Sequence, residues 1–217
     1  MEQVKQRSQL AQIIRERRAI KKGYNDKVVT KELVLDLLND AIWAPTHGMR
    51  QPWRFIFIGK DQLPTFAKRV AATYPEERRE NRENYLNEPN AILVVLMEEL
   101  EVQKQWDDNY GAVASMIQNF WLLAWEKQLG VVWKTNPHNY DPEVKKILNA
   151  KDNEKIVGFL HWDILMKNHL LKREFLLLKS STYLKDNRQF PIKIKERVVI
   201  CTALFDDVVF RLKMDTY

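Results

Sequence analysis

Two adjacent arginines, Arg17 and Arg18, precede Ala19 near the end of the first predicted helix. Neighbouring guanidinium groups can bind a phosphate through paired, charge-assisted hydrogen bonds. The alternative is a solvated helix end, because cationic side chains also favour the carboxyl terminus of a helix. The pair therefore predicts an anion site but leaves a purely structural role open.

A second candidate is the segment from Ala44 to Trp53, whose sequence is APTHGMRQPW. Prolines flank a short turn that contains a glycine, between a predicted helix and a predicted strand. Such a turn holds backbone amides and side chains in a fixed shape, which suits recognition of a planar heterocycle. Alternatively, the segment is only a rigid connector between the helix and the strand, and His47 makes a structural hydrogen bond rather than contacting a ligand.

The third candidate is the segment from Gly130 to Asn136, with sequence GVVWKTN. Lys134 and Thr135 follow a predicted strand, where a cation and a hydroxyl would face a cofactor. The alternative is an ordinary strand end.

Other kinds of site lack support in the sequence. His47, His138 and His161 have no metal-ligand spacing, and Cys201 is the only cysteine, so we expect no metal site and no internal disulfide. The six glycines form neither a phosphate-binding loop nor a GxGxxG motif.

The elements that must hold these segments follow from apolar periodicity and from helix-breaking residues. A first helix starts near Val4 and ends near Gly23, and a second follows Thr30 as its N-cap and stops at Pro45. The remaining segments are strands at 53–58, 91–97, 131–133 and 156–161, and helices at 63–72, 110–129 and 142–148. This order predicts one α+β domain.

Two further segments carry their own expectations. Residues 110–129 are apolar on most sides. Because this is more apolar surface than a single helix buries in a monomer, the segment predicts a homodimer interface. Residues 75–87 are highly charged with little apolar periodicity, which predicts either an exposed helix or a mobile excursion.

Charge and composition narrow the class of protein. The net charge of +6 is concentrated in the last quarter of the 217 residues, and no basic stripe alternates with aromatic residues, so we expect no nucleic-acid partner. The sequence contains no apolar run of about 18 residues, so we expect no membrane span. The polar amino terminus and the lone cysteine favour a cytoplasmic protein.

The three candidate segments and two further ones form an ordered pattern. Arg-Arg-Ala is followed by Ala-Pro and Gln-Pro-Trp, then by Gln118-Asn119, by Gly-x-x-Trp-Lys-Thr and by Lys-Ile-Val-Gly-Phe-Leu. Over residues 10–161 this pattern resembles the nitroreductase family, in its small, single-domain branch.

The resemblance implies an α+β sandwich with a mostly antiparallel sheet flanked by helices, assembled as a homodimer with FMN at the dimer interface. Residues 1–161 would then form the flavin-binding domain. Arg17 and Arg18 match the positions that hold the FMN phosphate and ribityl chain, with Ala19 beside them. Two further sets of residues match family positions near the flavin ring. One set, largely from the other protomer, is Trp43, His47 and Gln51, and the other is Trp133, Lys134 and Thr135.

The resemblance also implies an activity. NADH or NADPH would deliver a hydride to FMN and leave, and a nitroaromatic, quinone or similar small acceptor would then take the electrons in a ping-pong cycle. Lys134 is the candidate cation that stabilises the reduced flavin, and no catalytic side chain is assigned because the flavin carries the chemistry. The commoner family pattern has Ser at Ala19 and Asn at Met49.

Two other functions stay open. One is a flavin-binding member of the family with little or no turnover, because its carboxyl-terminal tail is altered. The other is a basic binding module without a cofactor.

Residues 162–217 form an atypical tail that departs from the family pattern and contains no glycine. Reading the codons of Trp162 to His169 two bases later permits Gly-Tyr-Phe-Asp-Glu-Lys-Pro, which is similar to the family's continuation. We therefore predict a one-base frameshift at His161–Trp162. The alternative is a genuine extension, helical around residues 165–178, that covers the partner subunit.

Overall fold

The computed structural model describes residues 8–21 and 28–164. That part of the chain forms six α-helices and four β-strands. The helices are α1 (Gln9–Glu16), α2 (Lys31–Ala41), α3 (Leu63–Ala71), α4 (Glu76–Asn87), α5 (Gln103–Glu126) and α6 (Pro142–Ile147). The strands are β1 (Trp53–Gly59), β2 (Ala91–Glu98), β3 (Leu129–Lys134) and β4 (Glu154–Ile164).

The strands form a single antiparallel sheet in the order β1-β2-β4-β3. Strand β4 therefore lies inside the sheet, between β2 and β3. Its pairing with β2 shifts register where Val95 is opposite Gly158 and Leu96 is opposite Ile156, so that Val157 bulges out of the ladder. The α+β class and the antiparallel sheet of the sequence prediction are confirmed.

Helices cover both faces of the sheet. Strand β2 is buried from Ala91 to Met97, and its side chains alternate between two hydrophobic cores. Val95 and Met97 belong to the core beneath α2 and α5, whereas Val94 and Leu96 belong to the core beneath α3, α4 and α6. The long apolar helix α5 is thus buried along one side, at Val113, Met116, Ile117 and Phe120.

Helix α2 begins as the sequence predicts. The Thr30 hydroxyl accepts a hydrogen bond from the backbone N–H of Leu33 at 3.3 Å, which satisfies one of the free donors in the first turn. The charged stretch is an α-helix, α4, with Leu86 as its one buried residue. The exposed-helix alternative for this stretch is therefore the correct one.

The first helix is shorter than predicted, which corrects the expected end near Gly23. It ends at Glu16 because Arg17 adopts an extended conformation, with φ of −51° and ψ of 130°. Two residues later, Ala19 forms a parallel bridge with Val131 at the edge of the sheet. A contact distant in sequence therefore ends this helix.

Other predicted boundaries also move. Helix α5 ends at Glu126 rather than at residue 129, and β3 begins at Leu129 rather than at residue 131. Helix α5 begins at Gln103 rather than at residue 110, and β4 runs to Ile164 rather than to His161. Within β4, Trp162 is fully buried and packs edge-on against Phe120, with ring centroids 4.6 Å apart.

Most of the tail, from residue 165, lies outside the described residues. The predicted frameshift and the alternative helical extension therefore stay predictions. Within the described ranges, no helix is long and apolar enough to cross a membrane.

Candidate functional site

The segment that carries the arginine pair is fixed against the edge of the sheet. After the Ala19 bridge to Val131, Ile20 is buried over Gly130. A Cβ at Gly130 would lie 2.8 Å from Ile20 Cγ1, closer than van der Waals contact allows. The glycine therefore permits the close approach that places Arg17 beside strand β3 and helix α5.

The Arg17 guanidinium lies in a half-buried position with unused hydrogen-bonding capacity. Its central carbon, Cζ, is 4.0 Å from the centre of the Trp121 ring, in cation–π contact. Its Nε and Nη1 atoms are buried and have no hydrogen-bond partner among the described residues. Burial, and to a lesser degree the charge of Arg18, lower the pKa of Arg17. A buried cation with free donors suits an anionic ligand.

Arg18 has a different environment from Arg17. Its Nη1 donates to the backbone carbonyls of Arg15 and Arg17, at 2.5 and 2.9 Å. These acceptors lie at the end of α1, so Arg18 stabilises the helix terminus. The contacts of Arg18 thus match the structural alternative, in which a cation stabilises the end of a helix. The free donors of Arg17 match the other alternative, in which the arginine binds an anion.

The loop between α2 and β1 has a strained backbone. Gly48, Met49 and Gln51 have φ values of 59°, 56° and 46°, in the left-handed region that costs non-glycine residues energy. Within it, His47–Met49 forms one turn of 3-10 helix, and the Gln51 backbone N–H donates to the Thr46 hydroxyl at 3.1 Å. Strain of this kind often accompanies a functional site.

An ion pair holds this loop onto the first third of α5. Arg50 Nη2 lies 3.3 Å from Asp108 Oδ2, and Lys104 lies 2.9 Å from the same oxygen. The loop leaves His47 and Gln51 exposed. Trp43, just before it, is 86% exposed.

The end of β3 directs its side chains to two sides of the sheet. Trp133 lies over Gly158, and its indole N–H donates to the Val157 carbonyl at 3.2 Å. Lys134 alternates to the opposite face, where its ammonium nitrogen lies 5.3 Å from the centre of the Tyr85 ring. Thr135 follows in an exposed position.

Two buried histidines lie on the α4 side of the sheet. His138 Nδ1 and the Tyr74 hydroxyl are 2.8 Å apart. Burial first, and then the charge of Arg82, lower the pKa of His138 to about 4. Burial, together with the charge of Lys134, lowers the pKa of His161 to about 3. Both rings are therefore neutral at pH 7, and the described residues contain no group of three or more potential metal ligands.

The fold brings some of the predicted segments together and separates others. The arginine segment lies beside β3 through the Ala19 bridge. The loop lies on another side of α5. Asn119 of α5 donates a hydrogen bond to the carbonyl of Ala41, the last residue of α2 before the loop. Side chains two positions apart on a helix, such as those of Asn119 and Trp121, are rotated by about 200° around its axis and so point to different sides. Asp108, where the loop is anchored, lies about 20 Å from Trp121 along the helix axis at 1.5 Å per residue.

The sequence profile of the nitroreductase family matches residues 14–162, which is more than half of the chain. The chain belongs to the nitroreductase family. The YfhC protein of Bacillus subtilis, which carries a provisional name as an NAD(P)H nitroreductase, is 38% identical over 167 residues that cover 73% of this chain and 86% of YfhC.

Solved nitroreductase structures share the fold. A nitroreductase-like family protein from Bacillus cereus is 32% identical, with a TM-score of 0.75, and the match covers 84% of this chain and 100% of that one. A nitroreductase-type protein from Desulfovibrio desulfuricans in complex with FMN is 24% identical, with a TM-score of 0.64 over 82% of this chain and 100% of that one. The second likeness concerns the fold alone.

Two residues that the sequence did not single out, Trp121 and Tyr85, contact predicted site residues. Trp121 stacks on Arg17, Tyr85 contacts Lys134, and Asn136 donates to the Tyr85 hydroxyl at 3.0 Å. Trp121 lies in an apolar helix and is typical of a core residue. Tyr85 interrupts a run of charges, and that lone aromatic residue is the signal that would have drawn attention to it.

Proposed function

We propose that this chain is an FMN-dependent oxidoreductase that passes electrons from NADH or NADPH to nitroaromatic, quinone or similar small acceptors. Membership of the nitroreductase family and the likeness to YfhC support this activity. The FMN complex of the Desulfovibrio desulfuricans protein, which shares the fold, supports the cofactor. We also place the enzyme in the cytoplasm, which a single cysteine favours because thiols stay reduced there.

The observation that carries the proposal is the state of Arg17. Two of its nitrogens are buried without a hydrogen-bond partner, although a buried, unpaired donor costs about 1–3 kcal/mol. The phosphate of FMN supplies a negative charge and several acceptor oxygens for these donors. Arg17 would therefore hold the phosphate, with Arg18 and Ala19 beside it in a segment that the sheet keeps in place.

The rest of the proposed site comes from two chains. Trp133 and Lys134 end the strand that fixes the arginine segment, and Thr135 follows it. Trp43, His47 and Gln51 lie in or next to a loop that α5 separates from Arg17 within one chain. A homodimer in which this loop reaches the partner's arginine segment would complete each site, and the exposed Trp43 would be covered in that dimer.

When bound, FMN supplies the redox chemistry: NAD(P)H is oxidised by loss of a hydride, and the acceptor is reduced by two electrons with protons from water. The protein would bind and orient the cofactor. Lys134 contributes a cation that favours the negatively charged, reduced form of the cofactor. The rigid, strained loop contributes backbone groups and the exposed side chains of His47 and Gln51.

The absorbance spectrum of the purified full-length chain, after incubation with FMN and removal of the free cofactor, tests this proposal. We expect flavin absorbance that disappears when NADPH or NADH is added without oxygen and returns when a quinone is supplied. A bound flavin that stays oxidised would support the binding protein without turnover. A protein that retains no flavin would overturn the proposal and leave the basic binding module.

A variant pair tests the assignment of Arg17. Arg17→Ala should weaken FMN binding by a hundredfold or so, since it removes a charge-assisted contact to the phosphate. Arg15→Ala is the matched control, because Arg15 is an exposed arginine two residues earlier, in the last turn of α1, and its contact with Arg18 uses its backbone carbonyl. Equal FMN affinity in the two variants would contradict the assignment.

A further inference from the structure

Trp121 shares an unusual environment with Arg17. The two side chains are stacked, with Arg17 Cζ 4.0 Å from the centre of the Trp121 ring. The indole nitrogen of Trp121 is also buried and, like Arg17 Nε and Nη1, has no hydrogen-bond partner in the described part of the chain. This one stacked pair thus contains three buried N–H donors without acceptors.

Unsatisfied donors of this number at one place need an explanation. Buried polar groups in folded proteins nearly always have partners, and the exceptions call for an explanation such as a bound water, an ion, local strain or a functional role. Some corresponding donors elsewhere have acceptors: the indole N–H of Trp133 reaches the Val157 carbonyl at 3.2 Å, and that of Trp106 reaches Glu99 at 3.4 Å. Others, such as the indole nitrogen of Trp162, are buried without a partner in the described part of the chain. The Trp121 indole is distinguished by its contact with Arg17, which brings three such donors together, whereas Trp162 packs against the apolar ring of Phe120.

We propose that Trp121 is part of the anion site: its ring orients the Arg17 guanidinium, and its indole N–H is a further donor to a phosphate monoester. This inference rests on the proposed function, because it takes that monoester to be the phosphate of FMN. A flat aromatic face under a guanidinium restricts the rotation of the guanidinium and leaves its edge free for hydrogen bonds. Trp121 thus acts both on Arg17 and on the ligand.

Two substitutions separate these contributions. Trp121→Phe keeps an aromatic face under Arg17 and removes the indole N–H, whereas Trp121→Leu removes both. We expect FMN affinity to fall roughly tenfold in the first variant and roughly a hundredfold in the second. Trp106→Phe is the matched control, since it makes the same change near the other end of α5.

The comparison of FMN with riboflavin gives the decisive readout. Riboflavin has the same ring system and ribityl chain but lacks the phosphate. The wild-type chain should prefer FMN, and both Trp121 variants should lose most of that preference while their riboflavin affinity stays within about twofold of wild type. Fluorescence titration with each flavin measures both affinities, and circular dichroism establishes that the variants are folded.

Each outcome decides between the hypotheses. If both variants keep the wild-type preference for FMN, or lose affinity for FMN and riboflavin equally, Trp121 has a structural role and the inference is overturned. If Trp121→Leu does not fold, Trp121→Phe alone gives the answer. If the wild-type chain binds neither flavin, the proposed function fails. In that case, stabilisation of the wild type but not of Trp121→Phe by inorganic phosphate in thermal unfolding would still support the anion site, and equal stabilisation would overturn it.

Discussion

The ammonium nitrogen of Lys134 lies 5.3 Å from the centre of the Tyr85 ring, and the Tyr85 hydroxyl accepts a hydrogen bond from Asn136 at 3.0 Å. Helix α4, which carries Tyr85, therefore holds the cation at the end of β3. The Tyr85 ring is fixed by a residue two positions after Lys134, so the three side chains form one connected group. In the proposed enzyme this group determines where a positive charge lies near the cofactor.

Tyr85→Leu should make the reduction potential of the bound flavin more negative by roughly 10–20 mV, because the cation that stabilises the reduced form is held less firmly. Tyr85→Phe keeps the ring and should stay near the wild-type value. Lys134→Met removes the charge and should give the largest change. Potentiometric titration of the three variants measures the effect, and equal potentials in Tyr85→Leu and wild type would count against this role.

His138 makes the stability of the fold depend on pH. Its pKa is about 4 in the folded chain, mainly because of burial, against an ordinary value near 6.5 in the unfolded chain. Below pH 6.5 the unfolded chain gains a proton that the folded chain does not, so stability is lost as the pH falls toward 4. The expected loss from this residue is about 3 kcal/mol between pH 7 and pH 4.

Urea denaturation of wild type and His138→Gln at both pH values isolates that loss. The carboxylates titrate in both proteins, so the difference between the two proteins reports on His138 alone. We expect the free energy of unfolding to fall more steeply in the wild type than in the variant. Parallel losses would show that His138 is not neutral in the folded state.

Gly130→Ala should displace the segment that carries Arg17 by pushing against Ile20 from strand β3. The added methyl group would collide with Ile20, and overpacking of this kind costs about 1–3 kcal/mol. Displacement of Ile20 moves the segment that carries Arg17, so FMN affinity should fall together with the melting temperature.

Gly111→Ala is the matched control for that substitution. A Cβ at Gly111 meets no atom within 4 Å, and the position lies inside helix α5. Alanine there should raise stability by about 0.5–1 kcal/mol and leave flavin binding unchanged. Thermal unfolding and flavin titration of both variants test the pair; a Gly130→Ala protein with normal FMN affinity would mean that Ile20 does not position Arg17.

Sequencing of the gene around the codons of His161 and Trp162 tests the frameshift prediction. A shifted frame that encodes Gly-Tyr-Phe-Asp-Glu-Lys-Pro and stays open would support it, and restoring that frame should raise FMN retention if the altered tail weakens binding. A stop codon within a few codons of the shifted frame would refute the frameshift and favour the genuine extension.

Much of the fold was predictable because local chemistry determines it. The Thr30 cap, the apolar run of β2 and the aromatic run of β1 all depend on residues near in sequence. The end of α1 was not predictable in this way. Arg15 to Arg18 have no helix-breaking residue, and the helix ends early because the following residues pair with β3, far along the chain.

The candidate site was predictable as a set of motifs but not as an arrangement. The order of the motifs identified the family, which the profile match confirmed. The sequence did not indicate that Arg18 stabilises a helix end while Arg17 keeps free donors. It also did not indicate that Trp133 and Lys134 face opposite sides of the sheet, because strand boundaries decide that alternation.

The distance along α5 between the loop anchor at Asp108 and the Arg17 contact at Trp121 has a genetic consequence. If each site takes its arginine segment from one chain and its loop from the other, two defective chains can rescue each other. A mixed dimer of an Arg17→Ala chain and a loop-defective chain contains one site with both lesions and one site with neither. Co-expression of two inactive variants would then restore activity that neither shows alone.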